Sequence, residues 1–162
     1  MLNETKKEVD LLELKNIVES KHKIIGLDLG RKRIGVSIST SNMDGALPLR
    51  TIQYSNIKDL VDELSAIIKT HDIKAMVIGL PINMDGSEGK SSQSIRDKSN
   101  KILSFFEMPY SFWDERLSTA AVARFYEAPS KTRQKKKNQK KDIDNLASAF
   151  ILEGALEYIK RN

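Results

Sequence analysis

Apolar residues in the first third of the chain follow the pattern of β-strands. Residues 23–29 form a short apolar run broken by one carboxylate, and residues 33–40 alternate apolar with small or polar side chains. Turn residues at 41–45 lead into a third predicted strand at 46–52, where Pro48 favours an edge position. The pattern predicts three strands connected as hairpins.

In the rest of the chain, the spacing of apolar residues alternates between that of helices and that of strands. A near-continuous apolar run at 74–80 is typical of a buried parallel strand. The other predicted elements are an N-terminal amphipathic helix at 4–20, a helix from Ile57 to Ile68 capped by Asn56, a helix through Ile95 and Phe106 that stops before Pro109, a strand at 110–114, a short helix at 118–126 and a last helix at 142–160.

This order predicts an α/β protein with one mixed five-stranded sheet and helices on both faces. Three strands pair antiparallel, and the later strands, which follow helical crossovers, pair parallel. We expect residues 1–22 to form a helical extension and residues 23–162 to form the main domain. The 162 residues, 40% of them hydrophobic and 30% charged, suffice for one core.

Composition removes several classes of function. The chain has no cysteine, which excludes disulfides, zinc–thiolate sites and cysteine nucleophiles. No apolar run approaches the roughly 18 residues needed to span a bilayer, and the charged N-terminus shows no signal peptide. We expect a soluble cytoplasmic protein without a membrane partner.

The net charge of +5 comes from one segment. Residues 131–141, KTRQKKKNQKK, carry seven basic residues and no acid, and the other 151 residues hold 20 basic against 22 acidic side chains. The segment is either a solvated loop or a nucleic-acid contact, and its place before the last helix favours the second. Its basic residues are Lys131, Arg133, Lys135, Lys136, Lys137, Lys140 and Lys141.

Three carboxylates stand at positions where α/β sheets bind ligands. Asp28 interrupts an apolar strand, Glu115 follows the fifth strand, and Asp144 lies at the start of the last helix. Each has a simpler explanation taken alone: a turn cap for Asp28, an ion pair with Arg116 for Glu115, and helix capping at the last helix. Crowded together, however, they would repel one another unless cations lay among them. Oxygen ligands without histidine or cysteine suit one or two Mg²⁺ or Mn²⁺ ions.

Four blocks of sequence resemble the YqgF/RuvX family. They read DLGRKRIG at 28–35, GLPINMDGSEG at 79–89, DERLST at 114–119 and DIDNLASAFIL at 142–152, in the family's order. The family comprises ribonuclease H-like proteins described as Holliday junction resolvases and as nucleases that mature the 5′ end of pre-16S rRNA. The resemblance implies a ribonuclease H-like fold and a metal-dependent nuclease with Asp28, Glu115 and Asp144 as catalytic and metal-binding acids, leaving 5′-phosphate and 3′-hydroxyl ends.

Other residues near these acids point to an anionic substrate. Arg31, Arg33 and Arg116 could bind phosphates, although Arg116 serves equally well to balance the carboxylates. The loop at 81–90 precedes a helix, capped by Ser91 or Ser92, that could hold a phosphate, and a plain connection explains the loop about as well.

The expected partner is nucleic acid, either pre-rRNA or branched DNA, bound by a monomer or homodimer. The resemblance favours pre-rRNA processing. A Holliday junction resolvase and a non-catalytic nucleic-acid-binding factor with the same fold and basic segment stay open.

Overall fold

A mixed five-stranded sheet forms the centre of the protein in the computed structural model, which describes residues 8–118 and 139–162 without the side chains of residues 118 and 139–145. The strands lie in the order β3-β2-β1-β4-β5. Their bounds are β1 Lys23–Leu29, β2 Arg33–Ser39, β3 Ala46–Gln53, β4 Ile73–Leu80 and β5 Tyr110–Asp114.

Strand directions agree with the prediction. β1 pairs antiparallel with β2 and β2 with β3, whereas β1 pairs parallel with β4 and β4 with β5. β3, which contains Pro48, lies at an edge as predicted, so the missing N–H of the proline interrupts no central ladder.

Four helices accompany the sheet in the described ranges: α1 Lys15–Glu19, α2 Ile57–His71, α3 Lys90–Leu103 and α4 Gln139–Arg161. The predicted cap of α2 is confirmed, since Oδ1 of Asn56 accepts a hydrogen bond from the backbone N–H of Asp59 at 2.9 Å. The predicted cap of α3 is wrong, because the N-cap is Gly89 and the hydroxyl of Ser92, inside the helix, donates to the carbonyl of Pro81. The predicted short helix at 118–126 lies outside the described residues, apart from a 3₁₀ turn at Glu115–Ser118.

Two hydrophobic clusters cover the two faces of the sheet. On one face, α2 and α3 pack against alternate residues of the strands, such as Leu27 and Ile78. On the other face, α4 packs against the intervening residues, including Ile24, Val77 and Trp113. Helices therefore lie on both faces, as the sequence predicts.

Two contacts fix the direction of α4 across the sheet. The buried hydroxyl of Ser37 donates to the carbonyl of Ser148 at 2.8 Å, close to Gly26 of β1. At the far end of the helix, the ammonium of Lys160 bonds the carboxylate of Asp44 at 3.3 Å, in the turn between β2 and β3. That turn lies at the amino end of β1, so α4 begins toward the carboxyl ends of the parallel strands.

The N-terminal segment is less helical than predicted. Within its described residues, helical structure is limited to a 3₁₀ turn at Leu11–Leu14 and α1. Glu8 instead forms a parallel bridge with Tyr110, and the N–H of Val9 donates to the Tyr110 carbonyl at 2.9 Å. The segment thus extends the sheet beyond β5. Its backbone pairs with the edge of β5, whose hydrogen-bonding groups a helix at this position would not have paired. None of the helices in the described ranges has the length and apolar character of a membrane span.

Candidate active site

The carboxyl ends of the three parallel strands bring two of the predicted acids together. Asp28 is the penultimate residue of β1, and Glu115 directly follows β5. Asp28 shares with Gly26 the face of β1 that packs against α4, because side chains alternate along a strand. β4 lies between the two strands and contributes Gly79 on the same face.

Glu115 is held in a confined position beside Gly79. Its Oε1 atom lies 2.6 Å from the point where a Cβ on residue 79 would stand. Any residue larger than glycine at position 79 would therefore displace the Glu115 carboxylate. Burial, with added repulsion from the charges of Asp28 and Asp114, raises the pKa of Glu115 to about 7. This carboxyl therefore exchanges its proton near neutral pH and is sensitive to any cation placed beside it.

Asp114 has a different role from its neighbour. It accepts hydrogen bonds from the Arg116 guanidinium, at 2.7 Å from Nη2 and 3.1 Å from Nε, and from the Arg116 backbone N–H at 3.0 Å. These contacts hold the pKa of Asp114 below its usual range. Arg116, one of the predicted phosphate ligands, is thus an ion-pair partner in this structure. It pairs with Asp114, whereas the simpler explanation of Glu115 from the sequence was an ion pair between Glu115 and Arg116.

A cleft of about 400 Å³ opens at Asp28 and Glu115. Arg31, predicted to bind nucleic acid, is exposed and lines this cleft. The start of α3 forms the facing wall with Lys90, Ser91 and Ser94. The loop before α3 was predicted as a possible phosphate site, but its proximity to the acids was not predicted. The two lie far apart in the chain, and only the order of strands in the sheet brings them together.

Several predicted residues are not brought into this cleft. Arg33 is half-buried at the start of β2. Two further residues near the site have structural roles: Trp113 is buried against α4 with its ring edge-on to Tyr158, and Asp85 accepts hydrogen bonds from the N–H and hydroxyl of Ser87 in a turn. Residue 144 lies near the start of α4, and its side chain is outside the described part of the chain, as are those of Lys140 and Lys141. The rest of the basic segment, including Lys131, Arg133, Lys135, Lys136 and Lys137, is also outside it.

The donor set suits a divalent cation of the magnesium type. In the described ranges, no point gathers three aspartate, glutamate or histidine side chains. Asp28 and Glu115 nevertheless offer carboxylate oxygens to one cleft, where burial and, to a smaller extent, the charges of Asp28 and Asp114 raise the pKa of Glu115. Mg²⁺ and Mn²⁺ prefer carboxylate oxygens of this kind as ligands.

Similar proteins place this arrangement in a family. The chain is 42% identical over 140 residues to a Pelagibacter ubique protein named "Putative pre-16S rRNA nuclease", covering 86% of this chain and 91% of that protein. A protein of the same name from Beijerinckia indica is 40% identical and is covered to 90% of its length, with 93% of this chain aligned.

Among solved structures, Thermus thermophilus RuvC in complex with a Holliday junction substrate aligns with a TM-score of 0.55 at 12% identity, over 86% of this chain and 95% of that one. This likeness confirms the predicted ribonuclease H-like fold. A sequence model of the family described as "RuvX: Holliday junction resolvase" matches residues 22–158, and the chain therefore belongs to the RuvX family, as its sequence blocks predicted.

Proposed function

We propose that the protein is a metal-dependent nuclease that hydrolyses phosphodiester bonds in structured RNA and processes the 5′ end of pre-16S rRNA. The observation that carries the proposal is the convergence of Asp28 and Glu115 in one cleft at the carboxyl ends of β1 and β5. Membership of the RuvX family and the names of the similar proteins support the nuclease class and the rRNA substrate. The place of action would be the cytoplasm, where this precursor is processed.

The direction of α4 supports Asp144 as a third acid of the site. Ser148 lies beside Gly26, and residue 144 precedes it by one helical turn, about 6 Å along the helix. Asp28 is two residues beyond Gly26, about 6.6 Å along β1 in the same direction. The start of α4 and the end of β1 therefore run toward the same region, and we assign Asp144 to the site with Asp28 and Glu115.

These three acids would hold Mg²⁺ or Mn²⁺. When bound, one or two such ions would supply Lewis-acid chemistry, stabilising the charge that develops on the phosphate as the bond is exchanged.

The chain itself contributes proton control and phosphate binding. In the metal-free protein the pKa of Glu115 is raised to about 7, and a bound cation would lower it, so binding of the metal would release a proton at neutral pH. Arg31 and Lys90 line the same cleft and would orient the phosphate through charge-assisted hydrogen bonds. The basic segment at 131–141 would bind backbone phosphates at a distance from the scissile bond.

Cleavage assays with matched variants test this function. Purified wild type, Asp28→Asn, Glu115→Gln and Asp144→Asn are incubated with a pre-16S rRNA 5′ leader, with Mn²⁺ and with EDTA. Asp62→Asn, an exposed acid on α2 away from the cleft, serves as the control. Wild type and control should cut only with metal, whereas each site variant should lose roughly 10²-fold or more in rate. Cleavage by all three site variants at the wild-type rate would disprove the proposal.

A Holliday junction resolvase is the second candidate, favoured by the description of the family that the chain matches. The same acids and metal would serve it, because the chemistry at the phosphate is identical. A four-way DNA junction included in the assay separates the two: efficient symmetric cleavage of the junction, without cleavage of the leader, would favour the resolvase.

A further inference from the structure

A second cleft of about 400 Å³ continues from the candidate active site along α3. Its lining includes Tyr54, Lys90, Ser94, Asp97, Lys98 and Lys101. Lys90 and Ser94 also line the cleft that contains Asp28 and Glu115. The two clefts are therefore neighbours that share one wall, and we call the second one the α3 groove.

Positive charge dominates the α3 groove. Three lysines line it against one acid, Asp97, whose carboxylate accepts a hydrogen bond from the Gln93 side chain at 2.8 Å. Across the described residues, none of the three lysines has a carboxylate within ion-pair distance. Some lysines elsewhere on the described surface do have such a partner, for example Lys74 with Asp72 at 3.0 Å.

Lys98 is the most constrained of these cations. Its half-buried ammonium donates to the carbonyl of Gly30 at 2.9 Å and lies 4.1 Å from the centre of the Tyr54 ring. Burial lowers its pKa, since no neighbouring carboxylate compensates the lost hydration. An anion in the groove would provide that compensation.

We propose that the α3 groove binds the phosphodiester backbone of a single-stranded nucleic-acid segment that flanks the bond to be cut. The inference rests on the proposed nuclease function and extends it, because the groove begins where Lys90 leaves the acidic cleft. Lys90 and Lys101 are eleven residues apart, about 16 Å along α3. A stacked strand of about five nucleotides, at about 3.4 Å each, covers that length.

Charge and continuity favour a nucleic-acid strand over other occupants. An acidic cleft alone would repel a polyanion, so the substrate needs cations on the path that leads to it. The groove supplies three lysines, all on α3, and none of them is neutralised by a carboxylate in the part of the chain that is described.

Binding measured without metal tests the groove directly. The probe is a fluorescently labelled ten-nucleotide single-stranded RNA, titrated with protein in EDTA at 50–200 mM salt and followed by anisotropy. Lys90→Gln/Lys101→Gln removes two exposed groove cations, and Lys101→Gln alone, which keeps the Lys90 of the active-site cleft, should by itself lower the salt slope by about 0.7. Lys21→Gln/Lys69→Gln removes the same charge near the amino ends of β1 and β4, where neither lysine has a described carboxylate within ion-pair distance.

The groove variant should bind roughly tenfold more weakly at 0.1 M salt, with a salt slope smaller by about 1.4, whereas the control should keep nearly wild-type affinity. Equal weakening in both variants, or in neither, would overturn the proposal. A DNA strand of the same sequence should respond as the RNA does. A loss confined to RNA would also overturn it, because it would assign the contacts to 2′-hydroxyls and not to phosphates.

The result is independent of catalysis. If the groove variant binds like the wild type while the wild type cleaves the leader, the groove proposal fails and the nuclease function stands. If the wild type binds through the groove but cleaves neither the leader nor the junction, the nuclease function fails and the groove stands as a binding site.

Discussion

The carboxylate of Glu115 and the backbone of Gly79 are in such close contact that a Cβ on residue 79 would lie 2.6 Å from Oε1 of Glu115. The same Cβ would lie even closer to Cδ1 of the buried Ile151 and 3.0 Å from its Cγ1. We therefore predict that Gly79→Ala displaces the carboxylate. Cleavage should fall roughly 10²-fold, because misplacement of a catalytic group by about 1 Å has that cost. Overpacking should lower the free energy of unfolding by about 1–3 kcal/mol.

The control is another glycine-to-alanine change. Gly45 has the Glu153 carboxylate as its nearest side-chain neighbour, at 3.9 Å from a built Cβ. Gly45→Ala should leave cleavage of the rRNA leader and urea unfolding close to wild type. If Gly79→Ala cleaves as fast as Gly45→Ala, the close approach of β4 does not position Glu115.

Local patterns predicted the strands and helices because each of them is determined mainly by its own residues. The fifth strand, 110–114, coincides with the observed one, and the amide of Asn56 caps α2 as expected. The position of Asp28 at the carboxyl end of a parallel strand also followed from element order. These features depend on apolar periodicity and on chain connectivity, both of which can be read directly from the sequence.

Contacts between distant residues could not be predicted in the same way. Glu8 pairs with Tyr110 and Lys98 bonds the carbonyl of Gly30, although neither pair shares a motif. Arg116 pairs with Asp114 and not with Glu115 because adjacent side chains point in different directions. Glu115 faces Gly79, which leaves Asp114 for Arg116. Such contacts follow from strand order and register, which the sequence does not specify locally.

The raised pKa of Glu115 predicts a pH-dependent stability in the metal-free protein. The folded state keeps the proton up to about 7, whereas the unfolded chain releases it near 4.5. The folded state therefore binds more protons between these values, so the free energy of unfolding should fall as pH rises from about 4.5 through 7. Glu115→Gln should abolish this fall and be more stable than wild type at pH 8, by on the order of 2 kcal/mol.

Urea unfolding in EDTA at pH 5 and pH 8 measures this effect. Glu107→Gln, an exposed change in the turn before β5, should retain the wild-type difference between the two pH values. An identical pH profile for Glu115→Gln and wild type would show that burial and the charge of Asp28 do not act on Glu115.

Arg96 connects four parts of the fold and should stabilise it more than its partly exposed position suggests. Its guanidinium bonds Glu88 at 2.6 and 2.8 Å, lies 3.7 Å from the carboxylate of Glu8 and stacks 4.7 Å from the Phe112 ring centre. We predict that Arg96→Met lowers the free energy of unfolding by about 1–3 kcal/mol, because paired charge-assisted hydrogen bonds and the ring contact are lost together.

Urea denaturation of Arg96→Met and Arg96→Lys checks this prediction. The lysine variant keeps the charge without the two-pronged contact and should fall between wild type and methionine. Lys15→Met removes an exposed pair with Glu19 at 4.0 Å and should change stability by less than about 0.5 kcal/mol. Equal losses for Arg96→Met and Lys15→Met would show that the contacts of Arg96 are no stronger than an ordinary surface pair.

The basic segment at 131–141 should contribute to nucleic-acid affinity independently of the active site. Replacing Lys135, Lys136 and Lys137 with glutamine removes three of its seven cations. Affinity for the rRNA leader should then fall with a salt slope smaller by about 2, since each backbone contact adds roughly 0.7–0.9. The free energy of unfolding should not change, because the charges act through phosphates. Anisotropy in EDTA combined with urea unfolding separates the two effects: lost stability with unchanged affinity would make the segment part of the fold and remove it from the substrate interface.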